Sequence, residues 1–380
     1  MKQFSIVIAG AGGIGRAAGL LLREIGDLPA HLYVGDRDQS IAKSAAEWIR
    51  KKSAKTAEIT YFVMPEKGSN ALFNRILSRA DILLDCLPGN QAPRMARFAL
   101  QHNLHYVNLT EYVKETNVVM EIARHSKKGF ILQAGLAPGF INVLANGLFQ
   151  QFCKKNKVRR VESVNMKVGA LTQNAYPPHF YGFTWSPVGV ATLYVEPAKI
   201  IRNHEIVIKA SLTERSRIIL HGTEYEEDLT SGGAADLPEA LAGKTRNLDY
   251  KTLRYPGHFD WIDSVLHQIP YGQDKVQVLQ KRMEETIPAV EDDQVVIYAS
   301  VTGRDQQGKL QILEKYYLIK PVEIAGKTLR AIQATTAAGL AECARLLLMN
   351  KYKGCILQSQ IKPLDYLNGP FISAVYQSIN

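Results

Sequence analysis

Three glycines and an aspartate carry the clearest chemistry in this sequence. Gly10, Gly12 and Gly15 form G-x-G-x-x-G, and Asp36 follows 21 positions after Gly15. This spacing suits a dinucleotide phosphate turn. Gly10 permits the tight turn, Gly12 removes a Cβ where a pyrophosphate must approach the backbone, and Gly15 lets helix and strand pack closely. Gly13 and Ile14 begin the helix, whose free N–H groups and partial positive charge suit the pyrophosphate. Asp36 is placed to meet the adenosine ribose hydroxyls and to repel a 2′-phosphate, which favours NAD. Arg37, beside it, can stack on the adenine or soften that discrimination, so NADP remains the alternative cofactor. A glycine-rich turn without ligand, and a plain acid at a strand end, are the competing explanations.

Such a turn has meaning only between a strand and a helix. Phe4–Ala9 is a short apolar run suited to a central parallel strand buried on both faces, and residues 14–25 have helical character up to Gly26. A second apolar run, 31–35, ends at Asp36. Helical periodicity follows over 39–52, with Ile41, Ala45, Trp48 and Ile49 as its buried face. Strands are expected over 58–63, 81–86, 105–109 and 130–134, alternating with helices over 70–78, 91–102 and 114–126. This alternation predicts a doubly wound parallel sheet of the Rossmann type, with ligands beyond the carboxyl ends of its strands. Three loops then lie beside the glycine turn: 87–90, 110–112 and 135–139. Cys86, Leu87 and Pro88 become candidate cofactor contacts.

The pattern changes after a helix over 140–152. Residues 158–169 look extended, and 171–183 form a long loop rich in Tyr, Pro, Asn and Gly. Ser186 and Pro187 give a helix start, as N-cap and first turn. Strands are expected over 217–222, 248–255, 294–303 and 309–319, the last two flanking D-Q-Q-G, a hairpin signal. Helices are expected over 258–268 and 274–285. These elements predict an inserted α+β domain with a mixed, mainly antiparallel sheet. A helix over 333–350 should return to the first domain. The expected division is a nucleotide-binding domain over 1–138, completed by 333–380, and a second domain over 139–332.

At 380 residues and 46% hydrophobic content the chain suits two globular domains. The net charge of +10 is scattered. Its densest clusters, such as Lys154, Lys155, Lys157, Arg159 and Arg160, fall where helices should end. No aromatic platform interleaves with them, so no nucleic-acid partner is expected; the charge suits an anionic cofactor and a carboxylate substrate. No run of eighteen apolar residues predicts a membrane span, and the early core strand leaves no room for a signal peptide. A cytoplasmic protein is expected. Cys86, Cys153, Cys343 and Cys355 lack C-x-x-C or zinc spacing, so reduced thiols and metal-free chemistry are expected.

With these motifs in place, the chain resembles the saccharopine dehydrogenase family, in particular the glutamate-forming saccharopine dehydrogenases and the lysine 6-dehydrogenases. The resemblance rests on G-A-G-G-I-G at 10–15, D-C-L-P-G-N at 85–90, G-L-A-P-G-F-I-N at 135–142, W-S-P-V-G at 185–189 and K-T-L-R-Y-P-G-H at 251–258. One loop departs: before Trp185 such enzymes often have G-G-[LI]-P, where this chain has N-A-Y-P-P-H-F at 174–180. The resemblance implies that 139–332 is a substrate-binding and dimerisation domain, that the protein is a homodimer, and that hydride transfer takes place at an amine or imine carbon of an amino acid or N-linked conjugate, such as lysine or saccharopine.

That reaction needs a cation for the substrate carboxylate and one acid or base near neutrality. Arg254 is the first choice for the carboxylate, because a guanidinium matches it bidentately; a solvated strand residue is the other explanation. His258 can shuttle the proton or cap the helix it opens. Lys251 is a rival base if buried with a depressed pKa. Glu111 and Tyr112, at a strand's carboxyl end, can hold the substrate ammonium, and His179 and Tyr181 can line the pocket. Two other classes remain open: a catalytically weak NAD-binding regulator, and a structural dimerisation protein with a retained nucleotide-binding shell.

Overall fold

The computed structural model describes residues 3–51 and 58–377. The end of the 39–52 helix at Lys52 and the last residues of the 333–380 segment lie outside these. The chain divides into two compact units: Met1–Val143 with Val322–Leu329 and Gln333–Tyr376, and Leu144–Pro321 with Arg330–Ile332 and Gln377–Asn380.

In the first unit, β1 (Phe4–Ala9) is a central strand because Ile6, Val7, Ile8 and Ala9 are all fully buried. It is followed by β2 (Ala30–Asp36), β3 (Ile59–Val63), β4 (Ile82–Asp85), β5 (His105–Asn108) and β6 (Gly129–Ile131). All pairings are parallel, in the order β6-β5-β4-β1-β2-β3, and a late strand, Gly354–Ile356, adds to the β6 edge. The order reverses at β1 and β4, so the crevice between their carboxyl ends is where a nucleotide binds in a doubly wound sheet. Capping fixes where helices start: Asp38 accepts the N–H groups of Ser40 and Ile41 ahead of Gln39–Arg50, and Asn70 accepts that of Phe73 ahead of Ala71–Leu77.

The second unit contains β7 (Val161–Thr172), β8 (Ala198–Arg202), β9 (Glu205–Lys209), β10 (Ser216–Leu220), β11 (Thr223–Leu229), β12 (Thr245–Arg254), β13 (Asp293–Arg304) and β14 (Leu310–Ile319). They form one mixed sheet in the order β10-β11-β12-β7-β13-β14, with the β8-β9 hairpin beside β12. Only β12 and β7 run parallel; the other pairs are antiparallel. The helices Pro187–Val195, His258–His267 and Lys275–Thr286 pack one another through Val190, Ala191, Tyr194, Phe259, Ile262, Leu279 and Met283. Ser186 caps the first of them, accepting the Gly189 N–H at 3.4 Å. On the opposite sheet face, Leu171, Leu220, Tyr225, Leu253 and Val296 form a cluster with Ile218, Tyr255, Tyr298, Tyr316 and Leu318, all of them strand residues or, for Tyr255, the next one along. Among the described residues, no helix is long and apolar enough to cross a membrane.

Candidate cofactor and carboxylate sites

The glycine turn has the geometry its spacing suggests. Gly10 sits at φ +98°, and a Cβ there would lie 2.8 Å from the Cys86 carbonyl oxygen. A Cβ on Gly15 would lie 1.8 Å from the Gly10 carbonyl oxygen, so only glycine allows this helix–strand approach. A Cβ on Gly12 would meet nothing within 4 Å. That open side, at the N-terminus of the helix Gly13–Glu24, is the room a pyrophosphate needs. Gln333, which no sequence signal joins to the turn, lies over Gly13, its Nε2 2.7 Å from where a Cβ would stand.

Asp36 does more than end β2. Its Oδ2 accepts the Ala11 N–H at 2.9 Å and its Oδ1 accepts the Asp38 N–H at 3.1 Å. Arg37 is exposed and its guanidinium lies 3.5 Å from Glu66. The Glu66 carbonyl in turn accepts from Arg94, which also donates to the Pro65 and Gly68 carbonyls and so fastens the loop after β3.

Behind the loop that holds Cys86, Leu87 and Pro88, Asp85 is buried. It accepts the Leu87 N–H at 3.1 Å and the Tyr106 hydroxyl at 2.7 Å. Burial raises its pKa to about 6, against the pull of Tyr106, the Leu87 N–H and Arg94. Burial likewise pushes the Cys86 thiol up, with the Asp85 charge adding to it, so this thiol is not an activated nucleophile. The loop after β5 closes against the same segment: a Cβ on Gly89 would lie 2.4 Å from Thr110 Oγ1 and 2.7 Å from the Tyr112 ring. Glu111 stands here, its pKa raised by burial. Among the described residues, no three His, Cys, Asp or Glu side chains gather as a metal-ion group.

In the second unit, Arg254 ends β12 and is 2% exposed, so it is not the solvated strand residue of the competing explanation. Its Nε donates to the Tyr194 hydroxyl at 2.7 Å and its Nη1 to the Leu253 carbonyl at 2.8 Å. The guanidinium carbon lies 4.8 Å from the Tyr181 ring centre and 5.6 Å from that of Tyr194. No carboxylate pairs with it among the described residues. Its cross-strand neighbour Glu226 instead accepts the Gly257 N–H at 3.1 Å and faces Arg217 at 3.8 Å. His258 is fully buried, 2.9 Å from the Tyr194 hydroxyl through Nε2 and 2.6 Å from the His179 carbonyl through Nδ1. It therefore does not cap its helix. Burial and the Arg254 charge hold its pKa well below the usual imidazole value.

Lys251 does not join this group. Strand alternation puts it on the other sheet face, where its ammonium lies 3.5 Å from Glu227 and donates to the Glu214 carbonyl at 2.5 Å and to Ser216 at 3.2 Å. Lys167 pairs with the same Glu227. This buried, fully engaged lysine is a poor free base. Glu111 and Tyr112 belong to the first unit and Arg254 and His258 to the second. Tyr194 escaped the sequence reading, because nothing local links it to an arginine 60 positions later.

The strand order, the glycine turn and the acidic end of β2 define a Rossmann-type dinucleotide-binding protein. Family models agree in both units: residues 6–132 match the saccharopine dehydrogenase NADP-binding domain, and residues 135–375 match the saccharopine dehydrogenase C-terminal domain. The chain belongs to the saccharopine dehydrogenase family. Over 136 residues, 35% of this chain, it is 26% identical to alpha-aminoadipic semialdehyde synthase from Arabidopsis thaliana, of which that match spans only 12%. Its fold is similar to saccharopine dehydrogenase (L-Glu forming) from Saccharomyces cerevisiae, with a TM-score of 0.75 and 13% identity over 99% of this chain and 100% of the other. It is also similar to homospermidine synthase from Legionella pneumophila in complex with NAD, with a TM-score of 0.68 and 13% identity over 99% of this chain and 91% of the other.

Proposed function

We propose that this protein is an oxidoreductase that moves hydride between NAD and the nitrogen-bearing carbon of an amino acid or N-linked amino-acid conjugate, lysine and saccharopine being the first to try. The observation that supports this most is Arg254. A buried guanidinium without a counter-ion is costly to the fold, and a substrate carboxylate would supply the missing charge.

The glycine turn, the N–H groups at the start of Gly13–Glu24 and the Asp36 carboxylate are the groups we assign to the dinucleotide, with Cys86, Leu87 and Pro88 along its path. The nicotinamide, when bound, accepts or gives the hydride. In the oxidative direction the substrate carbon gives up hydride, its nitrogen forms the C=N bond, and one N–H proton leaves. Asp36 and the Arg37–Glu66 pair support NAD over NADP. The partner we propose is a second copy of this chain on the sheet face opposite the helices, where the apolar cluster is built without any helix and Leu310 and Ile312 on β14 stay exposed.

The test is NADH formation by the purified protein against a panel of amino acids and N-linked conjugates. Turnover on a carboxylate-bearing amine supports the proposal. Cofactor binding without turnover on any panel member would favour a regulator, and no NADH binding at all a structural protein.

A further inference from the structure

We propose that Tyr194 and His258 are positioning residues that hold the Arg254 guanidinium for a carboxylate, and that His258 is not the group that transfers the proton. This rests on the carboxylate role proposed for Arg254.

The hydrogens can be assigned from the partners alone. A carbonyl oxygen only accepts, so the 2.6 Å contact with the His179 carbonyl puts the hydrogen on His258 Nδ1. A guanidinium only donates, so the Tyr194 oxygen accepts from Arg254 Nε at 2.7 Å. The single phenol hydrogen then points to His258 Nε2, 2.9 Å away, which must be the unprotonated nitrogen. The result is a one-way chain: Arg254 donates to Tyr194, Tyr194 to His258, and His258 to the His179 backbone. A proton added at Nε2 would leave the phenol hydrogen without its acceptor. The charged and titratable groups around His258 are Arg254, Arg215, His179, Tyr181 and Tyr194. Burial, the two arginine charges and the His179 ring oppose that proton, while the hydrogen bond to the His179 carbonyl favours it.

The same chain sets the pose of the arginine. Of the five N–H donors of a guanidinium, one is held by Tyr194 and one by the Leu253 carbonyl. Among the described residues the other three, on Nη1 and Nη2, have no acceptor. The Tyr181 and Tyr194 rings lie beside the guanidinium and restrict its plane. With Nε fixed, the Nη1 and Nη2 donors are left for a planar anion, the arrangement a carboxylate matches. Tyr194 reaches this point because Ser186 and Pro187 start its helix, and His258 because Gly257, at φ +94°, turns the chain from β12 into the next helix.

The experiment is steady-state kinetics of the full chain with saccharopine and L-lysine, comparing Tyr194→Phe, His258→Ala, His258→Gln and Arg254→Ala. Tyr194→Phe should raise the substrate KM about tenfold, the loss of one charge-assisted hydrogen bond, with kcat within about threefold. His258→Ala should behave alike. His258→Gln should restore KM, because its amide oxygen can accept from Tyr194, and both limbs of the pH–kcat profile should survive. A kcat loss of about a hundredfold in His258→Gln at unchanged KM, or a missing limb, would make His258 the proton-transfer group and overturn the proposal. An unchanged KM in Tyr194→Phe alongside a raised KM in Arg254→Ala would sink the positioning role alone. An unchanged KM in Arg254→Ala would sink the carboxylate role and this proposal with it. Should a variant fail to fold, 15N correlation spectra of the wild-type histidines decide: His258 must be the neutral Nδ1–H tautomer from about pH 6 to 8, around the usual imidazole pKa, and an Nε2–H or charged ring contradicts the assignment.

Discussion

The Ala11 N–H donates to Asp36 Oδ2 at 2.9 Å, so the acid at the end of β2 is fastened to the glycine turn after β1. One carboxylate thus shapes the turn, and in the function proposed above the same charge meets the adenosine ribose. These two roles can be separated by mutation.

Asp36→Asn keeps an oxygen for the Ala11 N–H but removes the charge. The ratio of kcat/KM with NAD to that with NADP should fall about tenfold, while NADH affinity changes little. Asp36→Ser, which shortens the side chain, should lose NADH affinity as well. A wild-type preference for NADP would overturn the assignment and make Arg37 the dominant group.

The glycines should fail in different ways. Gly12→Val projects into open space, so the folded protein should persist while NADH binding drops sharply; an unchanged NADH titration would remove Gly12 from the site. Gly15→Ala drives a methyl into the Gly10 carbonyl oxygen. It should destabilise the fold itself by about 1–3 kcal/mol or more, seen as a lower urea midpoint without any cofactor present.

Asp85 makes stability depend on pH. Its pKa rises from the ordinary carboxyl value of 3.8 to about 6 on folding, chiefly through burial. Between those values the folded state holds more protons than the unfolded one, so this contribution is complete at low pH and is lost as pH rises through about 6. Asp85→Asn should remove that dependence. Its stability relative to wild type should improve by roughly 2 kcal/mol between pH 4 and pH 7, by urea unfolding. A constant difference across that range would show that Asp85 does not titrate there.

Arg254→Ala should lower kcat/KM on the best substrate roughly ten- to two-hundredfold, the worth of a lost charge-assisted hydrogen bond. Arg254→Lys should recover part of it, since a point charge cannot reproduce the planar fork. NADH affinity should hold in both. Near-normal kcat/KM in Arg254→Ala would give the carboxylate to another cation.

The open sheet face predicts assembly. Sedimentation at micromolar concentration should show a dimer for wild type and a monomer for the double variant Leu310→Glu with Ile312→Glu, whose parent side chains are 54% and 59% exposed. A wild-type monomer would refute the homodimer.

The first unit was legible because its signals are local. Phe4–Ala9, the glycines and Asp36 each declare themselves by composition and spacing, and Ser186 and Asp274 mark helix starts that the structure contains. The strand Thr223–Leu229 was hidden by its acids. Glu226, Glu227 and Asp228 look like a solvated loop, yet all are buried, Glu227 against Lys167 and Asp228 against Arg215. Hairpin β8-β9 was missed too. Strand alternation alone puts Arg254 and Lys251 on opposite faces of β12, but the burial of Arg254 depends on Tyr181 and Tyr194, brought in by tertiary packing that no local spacing encodes.

The strand Gly354–Ile356 has a consequence for biosynthesis. A ribosome makes β1 to β6, then Leu144–Pro321, the bulk of the second unit, before the partner of the β6 edge exists. During that interval the Gly129–Ile131 backbone offers an unpaired strand edge, the kind of template that recruits other chains. The second unit, almost continuous in sequence, can close first, and the nucleotide-binding unit that starts the chain is finished last. Nascent chains stalled before Gly354 should therefore be the aggregation-prone species in the life of this protein.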